Sequence, residues 1–191
     1  MTATLNHARR LPGAEGVWVF IAADMMVFGL LFASFVIERG KNVDLFNLCR
    51  QTLNFNYGGI NTLILLTSSW FVVMAVQAAK AKKLRQVPPF LALGVLCGAT
   101  FGVLKIAEYT EKLSAGISPL TNDFYMFYFI LTGIHLLHVV GGIVVLVILW
   151  KKARLGAYNG TNLTGLESGA SFWHMVDLLW IFLFPLLYLM K

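Results

Sequence analysis

Five long apolar runs, each separated from the next by a short polar stretch, set the pattern of this chain. They cover about 16–37, 58–79, 88–109, 124–150 and 171–190. Each approaches the ~20 residues a helix needs to cross the hydrocarbon of a bilayer. The pattern predicts an all-α, polytopic membrane protein: a single domain over 1–191 built as a bundle of five transmembrane helices. Pro88 and Pro89 suit the opening of the third helix, where a missing amide donor costs least. Asn122 and Asp123 suit the start of the fourth as caps. The connections are short and leave no room for a soluble domain.

Composition turns this pattern into a statement about solvent. Of 191 residues, 58% are hydrophobic and 13% charged, and the mean hydropathy is +0.74. One soluble core of this size could not hide so much apolar surface. The net charge of +6 would suit a nucleic-acid partner, but the basic residues fall in short clusters between apolar runs. That distribution marks membrane orientation and speaks against nucleic acid. Arg9, Arg10, Lys80, Lys82, Lys83, Arg85, Lys151, Lys152 and Arg154 lie on one side, nine in all. Arg39, Lys41, Arg50, Lys112 and Lys191 make five on the other, and Lys105 falls inside the third span. The positive-inside rule predicts a cytoplasmic N-terminus and a periplasmic C-terminus.

Other features are read more plainly. Cys49 falls in a connection and Cys97 inside an apolar run, so no disulfide is expected. The first run contains Asp24 and lacks a cleavage pattern, so it reads as an anchor. In GVLCGATFG, Gly94, Gly98 and Gly102 repeat at small-xxx-small spacing and predict close helix packing. Trp18, Trp150 and Trp173 fall near span ends as interfacial anchors. Trp70 and Trp180 fall mid-span, where packing between helices is the expected use.

Ionisable groups inside the spans carry the candidate chemistry, because each costs several kcal/mol unless paired or neutral. They are Asp24, Lys105, Glu108, His135, His138, His174 and Asp177. Three pairs have one-face helical spacing: Lys105 with Glu108, His135 with His138, and His174 with Asp177. Lys105 and Glu108 would neutralise each other near the outer interface. Asp24 has no local cation, so its partner must come from another helix; it either donates a hydrogen bond or carries a proton. His138, His174 and Asp177 invite a rival reading as the site of a stand-alone membrane metalloenzyme. A small transporter using Asp24 is a second rival, but neither inverted repeats nor broken helices support it. Two histidines one turn apart on one helix suit bis-His haem ligation poorly.

Several motifs also carry a resemblance. WHMVDLLWIFLFPLLYL resembles the last-helix signature of subunit III of haem–copper respiratory oxidases. GIHLLHVVGG resembles that family's penultimate-helix motif, and LKIAEYTEKLSAGISP the end of the helix before, with Glu108 at its acidic position. GVWVFIAADMMVFGLLFASF resembles the opening core helix, with Asp24 where an acidic residue is expected, and NTLILLTSSW the next helix. The five spans lack two N-terminal helices of the mitochondrial type. They look like the shorter bacterial form, most of all the subunit-III-like protein associated with nitric oxide reductase.

The resemblance implies an accessory subunit in the bacterial cytoplasmic membrane, with no chemistry of its own. Haem and copper or iron would sit in the catalytic partner, which reduces oxygen or nitric oxide, and this chain would bind none of them. Structural phospholipid is expected against it. Asp24, Glu108, His135, His138, His174 and Asp177 would act as polar fasteners or lipid contacts, with His135 and His138 doing similar work.

Overall fold

The computed structural model describes residues 13–158 and 163–190, so Arg9, Arg10 and Lys191 lie outside the described residues. Five long helices account for the five apolar runs: α1 (Glu15–Lys41), α3 (Phe55–Lys80), α4 (Val87–Ser114), α5 (Asp123–Arg154) and α6 (Thr164–Phe184). Each is long and apolar enough to cross a membrane. The chain is thus an all-α, multi-pass membrane protein. Successive long helices reverse direction. The connection carrying Lys82, Lys83 and Arg85 and the one after Arg154 therefore lie at one end of the bundle, and 42–54 and 115–122 at the other.

Local sequence explains the boundaries. α4 opens on Val87 with proline in its first turn, and α5 is capped by Asn122, whose Oδ1 accepts from the Tyr125 amide at 3.0 Å. α6 passes at Pro185 into a π-helical turn, Pro185–Leu189. Proline cannot donate the amide hydrogen bond that would continue a regular ladder there.

The connection 42–54 is not a bare loop. It folds as a short helix, α2 (Val43–Gln51), which buries Phe46 and Cys49. Nine residues of mixed polarity are too few to register as a span. Both cysteines are free, and the Asn122 side-chain amide donates to Cys49 Sγ at 3.2 Å.

Three sequence expectations need correction. Trp173 is not an interfacial anchor but fully buried. Its indole fills the hollow of Gly98 and Gly142, where an added Cβ would fall 2.7 and 2.6 Å from ring atoms. Of the glycine repeat, Gly94 and Gly98 are packing positions, whereas Gly102 faces open space. Eight residues of helix rotate by about 80°, enough to carry the third glycine off the seam. At Gly94, Ser68 of α3 donates its hydroxyl to the glycine carbonyl at 2.9 Å. Trp180 is buried between helices, but Trp70 is 59% exposed on the outside of α3.

α3 packs most extensively on α4, and α5 lies between α4 and α6. α1 is the loosest member and fully buries only Phe28 and Phe35. Near its start, the amides of Gly13 and Ala14 donate to the side chains of Glu167 and Ser168. Toward its end, Phe35 packs edge-on against Phe46 and Phe127.

Candidate functional site

The intramembrane polar residues separate into two regions. The first is closed. Lys105 and Glu108 on α4 are 0% and 1% exposed, and Nζ lies 2.8 Å from Glu108 Oε2. Tyr128 of α5 and Tyr188 of the final turn each donate a phenol to Glu108 Oε1, at 2.8 and 2.7 Å. The ammonium also donates to both phenol oxygens and lies 5.0 Å from the Tyr128 ring centre and 5.2 Å from that of Trp180. Every strong donor and acceptor is therefore engaged, which is the condition under which a buried ion pair is tolerated. Sequence reasoning placed this pair near the outer interface. α4 runs on to Ser114, so Glu108 lies about 9 Å inside the helix end at ~1.5 Å per residue.

Tyr128 and Tyr188 were missed from the sequence, because nothing local ties positions twenty and eighty residues away to one carboxylate. Beside them, Tyr109 and Thr132 share a hydroxyl hydrogen bond of 2.5 Å. Arg50 of α2 donates to the Tyr188 carbonyl at 3.3 Å. The Lys112 ammonium donates to the Thr52 carbonyl. This knot binds α2, α4, α5 and the chain's final turn into one body.

The second region opens outward. His138 Nε2 lies 2.9 Å from Asp24 Oδ2, linking α5 to α1, with side chains 18% and 17% exposed. The missing partner of Asp24 is thus a histidine from another helix. His138 Nδ1 lies 2.9 Å from the Ile134 carbonyl, which can only accept. That bond places a proton on Nδ1 and turns Nε2 toward the carboxyl. The contact is short but oblique, since Oδ2 lacks a well-aligned hydrogen bond among the described residues. Phe28 meets the imidazole edge-on at 5.6 Å between centres.

On α6, His174 Nδ1 is 2.6 Å from the Ser69 hydroxyl of α3 and 3.8 Å from Asp177 Oδ2. Helical spacing suggested a His174–Asp177 pair, but the closer partner is the serine of a neighbouring helix. Neither Asp177 oxygen has a hydrogen-bond partner among the described residues. His174 borders two grooves, one against α3 and one against α1.

His135 corrects the expectation that it works like His138. It is fully buried, stacks on Trp180 at 5.2 Å and meets Phe101 edge-on, and neither ring nitrogen has a hydrogen-bond partner among the described residues. A three-residue step turns the helix by about 300°, which leaves the two rings about 60° apart. One therefore faces the core and the other α1.

His138, His174 and Asp177 do not converge. His138 is committed at both nitrogens and His174 to Ser69. Among the described residues, no three His, Cys, Asp or Glu side chains gather as metal ligands.

Known proteins resemble this chain in sequence. The sequence profile of the family described as "Cytochrome c oxidase subunit III" matches residues 13–191. Cytochrome c oxidase subunit 3 of Thermostichus vulcanus is 32% identical, over 97% of this chain and 92% of its own length. Cytochrome bo(3) ubiquinol oxidase subunit 3 of Buchnera aphidicola is 27% identical, over 91% of this chain and 84% of its own. A probable cytochrome c oxidase subunit 3 of Rickettsia bellii is 31% identical, over 98% and 71%. A family match spanning nearly the whole chain, on a fold with the same five membrane-crossing helices that the motifs imply, leads to one assignment: the chain belongs to the cytochrome c oxidase subunit III family of haem–copper oxidases.

Proposed function

We propose that this chain is the accessory subunit III of a haem–copper oxidase-type complex in the bacterial cytoplasmic membrane. It flanks and stabilises a catalytic subunit that carries the haem and metal and reduces oxygen or nitric oxide. The N-terminus is cytoplasmic in this reading, with the ends bearing Lys80 to Arg85 and Lys151 to Arg154 on that side. The observation that carries the reading is the family match over residues 13–191. It agrees with the use of the intramembrane polar groups, most of which are bonded to one another across helices and hold the bundle together.

The chain's own contribution includes a lipid site. A groove of about 300 Å³ between α1 and α6 is lined by Trp18, Ile21, Met25, Leu178 and, as its polar members, Ser171 and His174. Its apolar walls suit an acyl chain, and the Ser171 hydroxyl and His174 imidazole offer hydrogen bonds to a lipid's ester oxygens. Asp24 and His138 fasten the helix that forms one wall.

A tagged copy of the chain, solubilised in mild detergent from its own membranes, tests this. Haem absorbance and a haem-bearing subunit should co-purify with it in fixed ratio. A chain that emerges alone with a stoichiometric bound metal would overturn the accessory reading in favour of a metalloenzyme.

A further inference from the structure

We propose that the outward face of α3, centred on Trp70, is where this subunit docks on its catalytic partner. The docking element is a transmembrane helix that offers a hydroxyl or carbonyl oxygen at mid-membrane depth. The partner's identity rests on the accessory-subunit reading; the place and chemistry of the contact rest on α3.

α3 buries Leu65, Ser68, Val72 and Ala75 against its neighbours. The opposite stripe, Leu63, Leu66, Thr67 and Trp70, is exposed. These positions stand at i, i+3, i+4 and i+7, the spacing with which one helix packs on another. Trp70 is the feature that lipid alone does not explain. It stands ten residues from Lys80 and fifteen from Phe55, about 15 and 22 Å from the two ends of the helix. Tryptophan in membranes concentrates at the interfaces, where its N–H meets water or headgroups. An indole donor held in the middle of a span faces acyl chains that accept no hydrogen bond.

Four hydroxyls on outward faces need nothing from outside. Ser34, Thr67, Thr100 and Thr110 each donate to the carbonyl four residues earlier. Trp180, also mid-span, donates to Thr62 at 3.0 Å. Trp173 lacks an acceptor, but steric fit into Gly98 and Gly142 explains its position. Among the described residues, Trp70 has neither an acceptor nor a hollow. Its one ring contact among the described residues is its chain neighbour Phe71. A facing helix would supply the acceptor and cover the ring.

A photo-reactive amino acid placed at Leu66, with Trp70 intact, tests the surface in membranes that hold the whole complex. Leu137, 71% exposed on the outside of α5, is the control position. The expected result is an adduct with the haem-bearing subunit from Leu66 and none from Leu137. Trp70→Phe keeps the ring and removes the donor. It should lower the fraction retained with the haem-bearing subunit on dilution by about 2- to 10-fold, with Trp70→Ala lowering it further. Adducts with lipid only at Leu66, or with the haem-bearing subunit at Leu137 alone, would overturn the docking face and leave the accessory reading standing. A chain that brings down no haem-bearing subunit overturns both.

Discussion

The Lys105–Glu108 knot and the Asp24–His138 pair combine the same chemistry, a basic nitrogen and a carboxylate inside a membrane span, and use it in opposite ways. Around Lys105 two phenols complete the hydrogen bonding across three helical segments, and nothing is exposed. Around Asp24 two helices meet through one oblique contact beside a groove, and each side chain is partly open. A buried pair with every partner supplied is a fastener, and removing one member strands the other charge. A pair at the edge of a loosely packed helix tolerates change and is free to answer to a neighbour, whether lipid or protein. The amount of packing, rather than the identity of the residues, separates scaffold from interface.

Glu108→Ala should break this contrast most severely. It strands the Lys105 ammonium and both phenols, with an expected loss of ~3–5 kcal/mol. The subunit should fail to accumulate, or should melt far lower in detergent as followed by circular dichroism. The double change Lys105→Met with Glu108→Leu should recover most of that loss, since apolar groups of like volume are accepted where a paired charge was. If the double variant were as unstable as the single one, the knot's worth would lie in its phenol contacts rather than in charge balance.

A middle effect is expected at the open pair. Asp24→Ala leaves His138 without its partner and should cost ~1–3 kcal/mol, loosening α1 while the other helices hold. Hydrogen exchange of α1 amides should rise, with little change in α4 and α5. Asp24→Asn should preserve both assembly and turnover of the complex if the carboxyl serves only as a fastener. Normal assembly with slowed turnover would instead assign it to proton delivery.

The smallest change in stability is expected from His174→Ala, because the imidazole is 35% exposed and its one hydrogen bond is to the Ser69 hydroxyl, with Asp177 a more distant 3.8 Å away. Its effect should appear in bound phospholipid, counted by mass spectrometry of the purified complex, rather than in melting. Unchanged lipid content would remove His174 from the proposed groove site.

Much of the architecture was legible in the chain. Span number, the cap at Asn122 and the proline-led start of α4 depend on neighbours in sequence and on the solvent. The amphipathic α2 was not, since a nine-residue helix takes its stability from the α5 surface it covers. Among the candidate site residues, the need of Asp24 for a partner from another helix was readable from its surroundings, but the identity of His138 was not. Helical spacing put His135 with His138 and His174 with Asp177. The structure sends His135 into the aromatic core and gives His174 to Ser69.

What the sequence determined by itself was that this protein lives in lipid as five helices, and that their polar residues are too few and too costly to be idle. Tertiary structure alone decided which of those residues meet, that Trp173 fills a glycine hollow, and that Trp70 faces outward. Hydropathy and capping act over a few residues along one chain direction. The pairing of side chains across helices is set by how the helices cross, which joins positions far apart in the chain, as it does Asp24 and His138, 114 residues apart.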